Sequence, residues 1–147
     1  MHFSAFGKKG GEEVTAAVFL LDASYSMGYR EGGLANFEKA KQSLRRSLEI
    51  FSEVDRLALL VYSDRIENPA AGLTNEVTLL KKTAGAAQLT SRGTNLFTGL
   101  EKAYHLLGQS IAANKAVIIF SDQARHGWFK DNEAAGSNNW GEKIANF

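Results

Sequence analysis

Three short apolar runs limit the folds open to this chain. They occupy residues 16–21, 57–62 and 116–120, and none of them alternates polar with apolar side chains. Such continuous runs are typical of strands buried on both faces, as in the centre of a parallel sheet. The segments between them carry apolar side chains at steps of three and four residues, which predicts helices at 36–51, 77–89 and 96–107. This alternation predicts an α/β fold, a three-layer sandwich with a doubly wound, mostly parallel central sheet and flanking amphipathic helices.

The size and composition of the chain fit one domain. Its 147 residues leave room for a layered core, and 17 Lys and Arg against 16 Asp and Glu give a formal charge of +1. A balance this close to neutral argues against a non-specific nucleic-acid-binding protein. The absence of cysteine excludes disulfides, thiolate zinc sites and cysteine nucleophiles. The longest apolar run is far shorter than the roughly 20 residues of a membrane span, so we expect a soluble chain.

The ordered domain is expected to extend from residue 14 to residue 122. Residues 1–13 form a glycine-rich, charged lead-in that we expect to be flexible. The single proline, Pro69, lies within 65–73, where a short edge strand tolerates it. Residues 123–147 are polar and show no clear period, and the sequence offers no fifth core strand. We therefore expect a sheet truncated after its fourth strand, with 123–147 as an incomplete end of the same domain.

Polar side chains collect where the apolar runs stop. Asp22, Ser24 and Ser26 follow the first run, Asp122 follows the third, and Thr94 precedes the third predicted helix. In an extended chain, residues two apart face the same side, so the first three side chains can converge on one point. Where the strands of Asp22 and Asp122 are neighbours, the ligand-binding crevice at the switch point of the sheet lies between them.

This polar set predicts a cation site. Two aspartates in one crevice repel each other unless one is protonated or a cation lies between them. Carboxylate and hydroxyl oxygens suit a hard dication, Mg2+ first and Mn2+ or Ca2+ as alternatives, rather than zinc. With only two carboxylates among five oxygen ligands, the ion would keep a position open for an Asp or Glu side chain of a partner protein. Each residue alone also fits a structural role: the serines and Thr94 as caps, and Asp122 as a turn residue or ion-pair partner of Arg92 or Arg125.

The stretch DASYS at residues 22–26 resembles the DxSxS motif of von Willebrand factor type A domains. Thr94, in GTN before a helix, and Asp122, at the end of an apolar strand, match the other residues of that family's metal-ion-dependent adhesion site, so the similarity covers about residues 14–122. The resemblance implies that five residues hold the cation, the aspartates largely through water: Asp22, Ser24, Ser26, Thr94 and Asp122. The stretches SYSMGYREGG and SDQARHGW are most similar to bacterial aerotolerance-type members. That similarity implies attachment to a larger membrane-associated assembly, as an alternative to a cytoplasmic chain.

The resemblance implies a module for adhesion or complex assembly, in which a metal ion bridges the domain to an acidic partner without chemical turnover. Two other hypotheses stay open. One is an enzyme, either a Mg-dependent phosphatase-like hydrolase with Asp22 as nucleophile or a serine hydrolase with Ser24. Against it, Ser24 stands where such a phosphatase has a second Asp, and the chain has neither a GxSxG elbow nor a GxxxxGK[ST] loop. The other is an assembly domain with a vestigial site.

Several further residues are expected to lie outside the site. Asp64, at the end of the second run, is too far from the switch point, and His105 and His126 are expected as surface or packed residues. The tail residues Trp128 and Trp140 either cover core or belong to a partner-binding surface. The basic side chains of the first helix are expected on its solvated outer face: Lys39, Lys41, Arg45 and Arg46.

Overall fold

The computed structural model describes residues 13–68 and 72–122. Its elements are β1 (Thr15–Asp22), a 3-10 turn (Tyr25–Gly28), β2 (Arg30–Glu31), β3 (Leu34–Ala35), α1 (Asn36–Leu48), β4 (Arg56–Tyr62), α2 (Val77–Ala86), α3 (Leu96–Gly108) and β5 (Asn114–Phe120). In these ranges no helix has both the length and the apolar character needed to cross a membrane. The predicted tail, with Arg125, His126 and both tryptophans, and all of the predicted lead-in except Glu13 lie outside the described residues.

The sheet is built around β1, which is its central strand. Among the described residues it has three parallel strands, in the order β4-β1-β5. In this register Leu21 lies opposite Val61 on one side and Phe120 on the other. Every residue of β1 is buried, because strands flank both of its edges and helices cover both of its faces. The prediction of buried parallel strands is confirmed, and the burial explains why the first apolar run does not alternate.

Two apolar clusters separate the sheet from the helices. Phe19 and the other odd-numbered side chains of β1 pack with α1 and α2, whereas Leu20 and the even-numbered ones pack with α3. The predicted three-layer α/β arrangement is therefore confirmed. The chain runs from β1 through α1 to β4 on one side of β1, and from α3 into β5 on the other, so the winding reverses between β1 and β5. Open α/β sheets bind ligands at such a reversal, beyond the carboxyl ends of the strands.

The segment predicted as an edge strand pairs with β4 less regularly than a strand does. Within its described part Ile66 makes an isolated antiparallel bridge with Tyr62, and Thr74, the residue that follows the segment, makes another with Leu57. Between them the side chain of Asn68 replaces backbone pairing, because its Oδ1 accepts from the Val61 amide at 2.7 Å and its Nδ2 donates to the Leu59 carbonyl at 3.0 Å. An amide side chain thus satisfies the backbone groups that a regular ladder would pair.

Lys41 does not lie on the solvated outer face of α1. Its side chain is buried, and its Nζ donates to the carbonyls of Gly85 at 3.1 Å and Ala87 at 2.9 Å. These carbonyls belong to the carboxyl end of α2, where acceptors lack partners within the helix and the helix dipole favours a cation. The Nζ also lies 5.1 Å from the centre of the Phe37 ring. The expectation for Lys41 was wrong because it followed the charge of the side chain: Lys41 lies four residues after Phe37 and three before Leu44, which places it on the buried face of the helix.

Candidate functional site

The Asp22 carboxylate is the centre of a polar cluster at the carboxyl end of β1. It is fully buried, and its Oδ1 accepts from the Ser24 amide at 2.8 Å. Its Oδ2 accepts from the Ser121 hydroxyl at 2.6 Å and from the Thr94 hydroxyl at 3.4 Å. The side chain is therefore held by three segments that are far apart in the sequence.

The two serines of the first segment lie side by side. Ser24 is still extended, with φ −68° and ψ 162°, whereas Ser26 lies within the 3-10 turn. The chain thus leaves the extended conformation earlier than the two-residue spacing predicts, but the hydroxyl oxygens of Ser24 and Ser26 are 3.3 Å apart. The Ser24 side chain makes no capping bond to the turn, so the alternative role of a helix cap is not realised there.

Thr94 is placed by the loop that leads into α3. The carbonyl of Ala23 accepts from the Thr90 amide at 2.9 Å, and the Tyr25 amide donates to the Arg92 carbonyl at 2.9 Å. These bonds fasten the loop to the segment that follows β1. The cap of α3 is Asn95, whose Oδ1 accepts from the Phe97 amide at 3.1 Å. Thr94 is therefore not the cap of this helix, and its hydroxyl is directed to Asp22.

Asp122 follows β5, and one of its carboxylate oxygens has no hydrogen-bond partner among the described residues. Partial burial, and then the nearby Asp22 carboxylate, raise the pKa of Asp122 above its ordinary value, while a hydrogen bond from its own backbone and one from the Asn36 side chain act against this rise. In the described part of the chain its Oδ1 is buried without a hydrogen-bond partner. The ion pair considered from the sequence does not form with Arg92, which instead lies 3.7 Å from Glu67 and 3.9 Å from Asp64.

The cluster fits a hard dication by its donor set. It presents carboxylate and hydroxyl oxygens alone, which suit Mg2+, Mn2+ or Ca2+ better than zinc. Over the described ranges no group of three or more His, Cys, Asp or Glu side chains is placed to hold a metal. The cluster itself contains two carboxylates, Asp22 and Asp122. A cation, or water bound to it, would supply the partner that Asp122 Oδ1 lacks and would offset the repulsion between the aspartates.

Sequence reasoning missed three residues that act on this cluster. Ser121 donates to Asp22, Asn36 acts on Asp122, and Tyr62 is the register partner of Asp22 on β4. The pairing of Leu21 with Phe120 places Ser121 next to Asp22, so the strand order with its register would have revealed it. Asp64 and His105 lie outside the cluster, as expected: Asp64 is half-exposed beside Arg65, and His105 is exposed on α3.

Comparison with known proteins places the chain in a family. A family model for the von Willebrand factor type A domain matches residues 17–125. No curated protein matched the chain.

Three solved structures illustrate the shared fold. BatB from Bacteroides thetaiotaomicron is 18% identical over 72% of this chain, with a TM-score of 0.62. An aerotolerance-related membrane protein from Bacteroides fragilis is 15% identical over 83%, with a TM-score of 0.62. The vWF domain of the type V pili tip protein Mfa5 from Porphyromonas gingivalis is 22% identical over 74%, with a TM-score of 0.59.

This chain spans 52%, 63% and 37% of those three structures, respectively. At these identities the likeness shows the fold alone. The family model, in contrast, matches most of the chain and includes every predicted site residue. The chain therefore belongs to the von Willebrand factor type A domain family.

Proposed function

We propose that this chain is a metal-dependent protein-binding module, in which a divalent cation bridges the domain to an acidic side chain of a partner. Family membership supports a protein-interaction module. The observation that supports the cation is the buried, unpartnered Oδ1 of Asp122, which lies beside a second carboxylate among the described residues. Five residues would hold the ion: Asp22, Ser24, Ser26, Thr94 and Asp122. Mg2+ is the first candidate because all the donors are oxygens.

The donor charges explain why such a site would capture a carboxylate. Two aspartates balance the charge of a dication without exceeding it, and the three hydroxyls add none, so a bound ion would keep its attraction for a further anionic oxygen at an open coordination position. Asp22 accepts hydrogen bonds at both oxygens, so it would act on the ion largely through water and through the Thr94 and Ser121 hydroxyls that it orients. A carboxylate that orients neighbouring hydroxyl groups suits a site for binding and assembly.

The same contacts weigh against an enzyme. A nucleophilic Asp22 would have to reach an incoming substrate, but its side chain is fully buried and is held by hydrogen bonds at both oxygens. A nucleophilic Ser24 would need a base within hydrogen-bonding reach. The hydroxyl beside it belongs to Ser26, and His105 is exposed on α3 with Gln109 as its neighbour. We therefore propose a non-enzymatic role.

Aromatic side chains flank the site and suit a partner surface. In the described ranges four aromatic residues are strongly exposed, namely Tyr25, Tyr29, Phe97 and Tyr104. Tyr25 stands between Ser24 and Ser26, Tyr29 follows the 3-10 turn, and Phe97 lies in the first turn of α3, three residues after Thr94. Exposed Tyr and Phe are enriched at interfaces, where they contribute large apolar contacts. We therefore propose that the partner's acidic residue has apolar neighbours.

Cation titration tests the proposed function. Calorimetry of the metal-free chain with Mg2+, Mn2+ and Ca2+ is expected to show one site. Ser26→Ala removes one proposed ligand and should weaken Mg2+ binding by about 10- to 100-fold, as losses at metal sites commonly do. Ser43→Ala, on α1, is the matched control and should bind as the wild type does. A wild-type chain that binds none of the three ions would contradict the proposal and favour the vestigial-site hypothesis.

The exposed aromatic side chains beside the site lead to a separate prediction about the partner. In Mg2+, a short peptide with Asp between Leu and Phe should bind more tightly than one with Asp between glycines, because the aromatic side chains bury its apolar neighbours. Phe97→Ala should reduce that preference by roughly fivefold, the effect of about 1 kcal/mol, without changing Mg2+ affinity. Ile111→Ala is the control, since Ile111 is fully exposed beyond the other end of the sheet. Equal binding of the two peptides to the wild type would refute this surface assignment.

A further inference from the structure

Tyr62 lies beside the site and ends in a buried hydroxyl. It is fully buried at the end of β4, and its register partner on β1 is Asp22. Registered residues of neighbouring parallel strands point to the same face of the sheet, so the ring lies next to the Asp22 carboxylate. Within the described part of the chain, the Tyr62 hydroxyl has no hydrogen-bond partner. An unpaired buried hydroxyl lowers stability, so its position at a functional site needs a physical reason.

The surroundings of Tyr62 keep its hydroxyl at the site. Helix α3 approaches the ring so closely at Gly99 that a Cβ there would lie 3.4 Å from Tyr62 Cγ and 3.4 Å from a Leu20 methyl carbon. Burial, followed by the charge of Asp22, raises the pKa of Tyr62 well above its usual value, while the hydroxyls of Ser121 and Thr94 act against this rise. The polar side chains that act on the Tyr62 hydroxyl thus all belong to the site.

One of the hydrogen bonds that Asp22 accepts, the bond from the Thr94 hydroxyl, is weak. Its Oδ2 accepts from Ser121 at 2.6 Å but from Thr94 at 3.4 Å, which is long for a bond between oxygens. Thr94 is also a proposed ligand of the cation. If the Thr94 oxygen turned toward an ion, Asp22 Oδ2 would lose one hydrogen-bond donor. The Tyr62 hydroxyl could then donate in its place.

We propose that Tyr62 is a positioning residue of the site: its hydroxyl donates to Asp22 Oδ2 when Thr94 turns toward a bound cation. The exchange gives the Tyr62 hydroxyl the acceptor it lacks and keeps the Asp22 carboxylate oriented. The inference rests on the proposed cation-binding function, because only a ligand draws Thr94 away from Asp22. It predicts opposite effects of the hydroxyl on the metal-free and the metal-bound protein.

Tyr62→Phe in the full chain tests this prediction, since it removes the hydroxyl and keeps the ring. In chelator, the thermal midpoint of the variant should rise by about 2–6 °C because a buried unpaired hydroxyl is gone. Its Mg2+ affinity, measured by calorimetry, should fall about tenfold, the effect of one hydrogen bond to a charged group. Thr15→Val is the matched control: Thr15 Oγ1 is also buried and unpartnered in the described chain, but it lies at the opposite end of β1. This control should gain stability and keep its Mg2+ affinity.

The outcomes separate this inference from the function on which it rests. A higher midpoint with weaker Mg2+ binding in Tyr62→Phe alone supports it. Wild-type Mg2+ affinity in Tyr62→Phe overturns the role of Tyr62 and leaves the cation site standing. A lower midpoint of the variant in chelator also overturns it, because the hydroxyl would then have a partner in the metal-free protein. A wild-type chain without cation binding overturns both proposals.

Discussion

Asp122→Asn is expected to abolish detectable Mg2+ binding, with affinity reduced at least about 100-fold, while making the metal-free domain more stable. The amide has nearly the same shape but removes one of the two charges that attract the ion, and such sites depend on their carboxylates. The stability effect has the opposite sign. The pKa of Asp122 is raised in the folded protein, so its ionised form is disfavoured by folding at neutral pH. A neutral side chain removes that penalty. Calorimetric titration and thermal unfolding in chelator measure the two effects.

The control for this prediction is Asp64→Asn. Asp64 follows β4 as Asp122 follows β5, but it is half-exposed and lies 3.9 Å from both Arg65 and Arg92. Its replacement should leave Mg2+ binding unchanged. Unimpaired Mg2+ binding by Asp122→Asn would remove Asp122 from the ligand set. A lower thermal midpoint of that variant in chelator would show that the two aspartates do not repel each other in the metal-free state.

Phe19→Ala is expected to destabilise the domain by about 3–5 kcal/mol, the usual cost of truncating a buried Phe. Phe19 is fully buried in the middle of β1. Its ring is stacked on Phe120, with centroids 6.3 Å apart and planes at 5°, and meets Phe51 edge-on at 5.8 Å. Since Phe120 directly precedes Ser121 and Asp122, this stack also supports the strand end that completes the site. The loss in the free energy of unfolding should therefore exceed the loss caused by truncating a residue at the edge of the core.

Urea unfolding of the metal-free chain measures this loss, and Phe97→Ala serves as the comparison. Phe97 is 65% exposed on α3, so its truncation should change the free energy of unfolding by no more than about 0.5 kcal/mol. A loss below about 1 kcal/mol in Phe19→Ala would mean that the aromatic stack does not hold β5 against β1.

The sequence was sufficient for those features that depend on burial alone. The continuous apolar runs predict the three parallel strands because a central strand has no solvent-facing side, and Leu20 and Phe19 are indeed covered by different helices. The polar residues at the strand ends predict the location of the crevice because parallel strands end at the same edge of the sheet. The fold class follows from these two patterns. The role of Asp22 and Asp122 as metal ligands remains a prediction.

Features that depend on register or on a neighbouring element could not be predicted. Ser121 contacts Asp22 only because β5 pairs with β1 in one particular register. Tyr62 reads in the sequence as the last member of an apolar run, and nothing there shows that its hydroxyl lies beside a carboxylate. Lys41 falls on the buried face of α1 by its spacing from Phe37 and Leu44, but only the position of α2 shows that its ammonium group reaches the carboxyl end of that helix. Each error arises from a contact between segments that are distant in the sequence.

The connection of Asp22 to Ser121 has a consequence for the order of events during synthesis. The two residues are 99 positions apart, and Thr94 lies 72 positions from Asp22. A nascent chain that has exposed β1 but not yet β5 holds only part of the cluster, so it would not bind the proposed ion or partner with full affinity. Because a ligand stabilises only the state that it binds, capture of the proposed ion would act after β5 has docked and would lock β5 against β1.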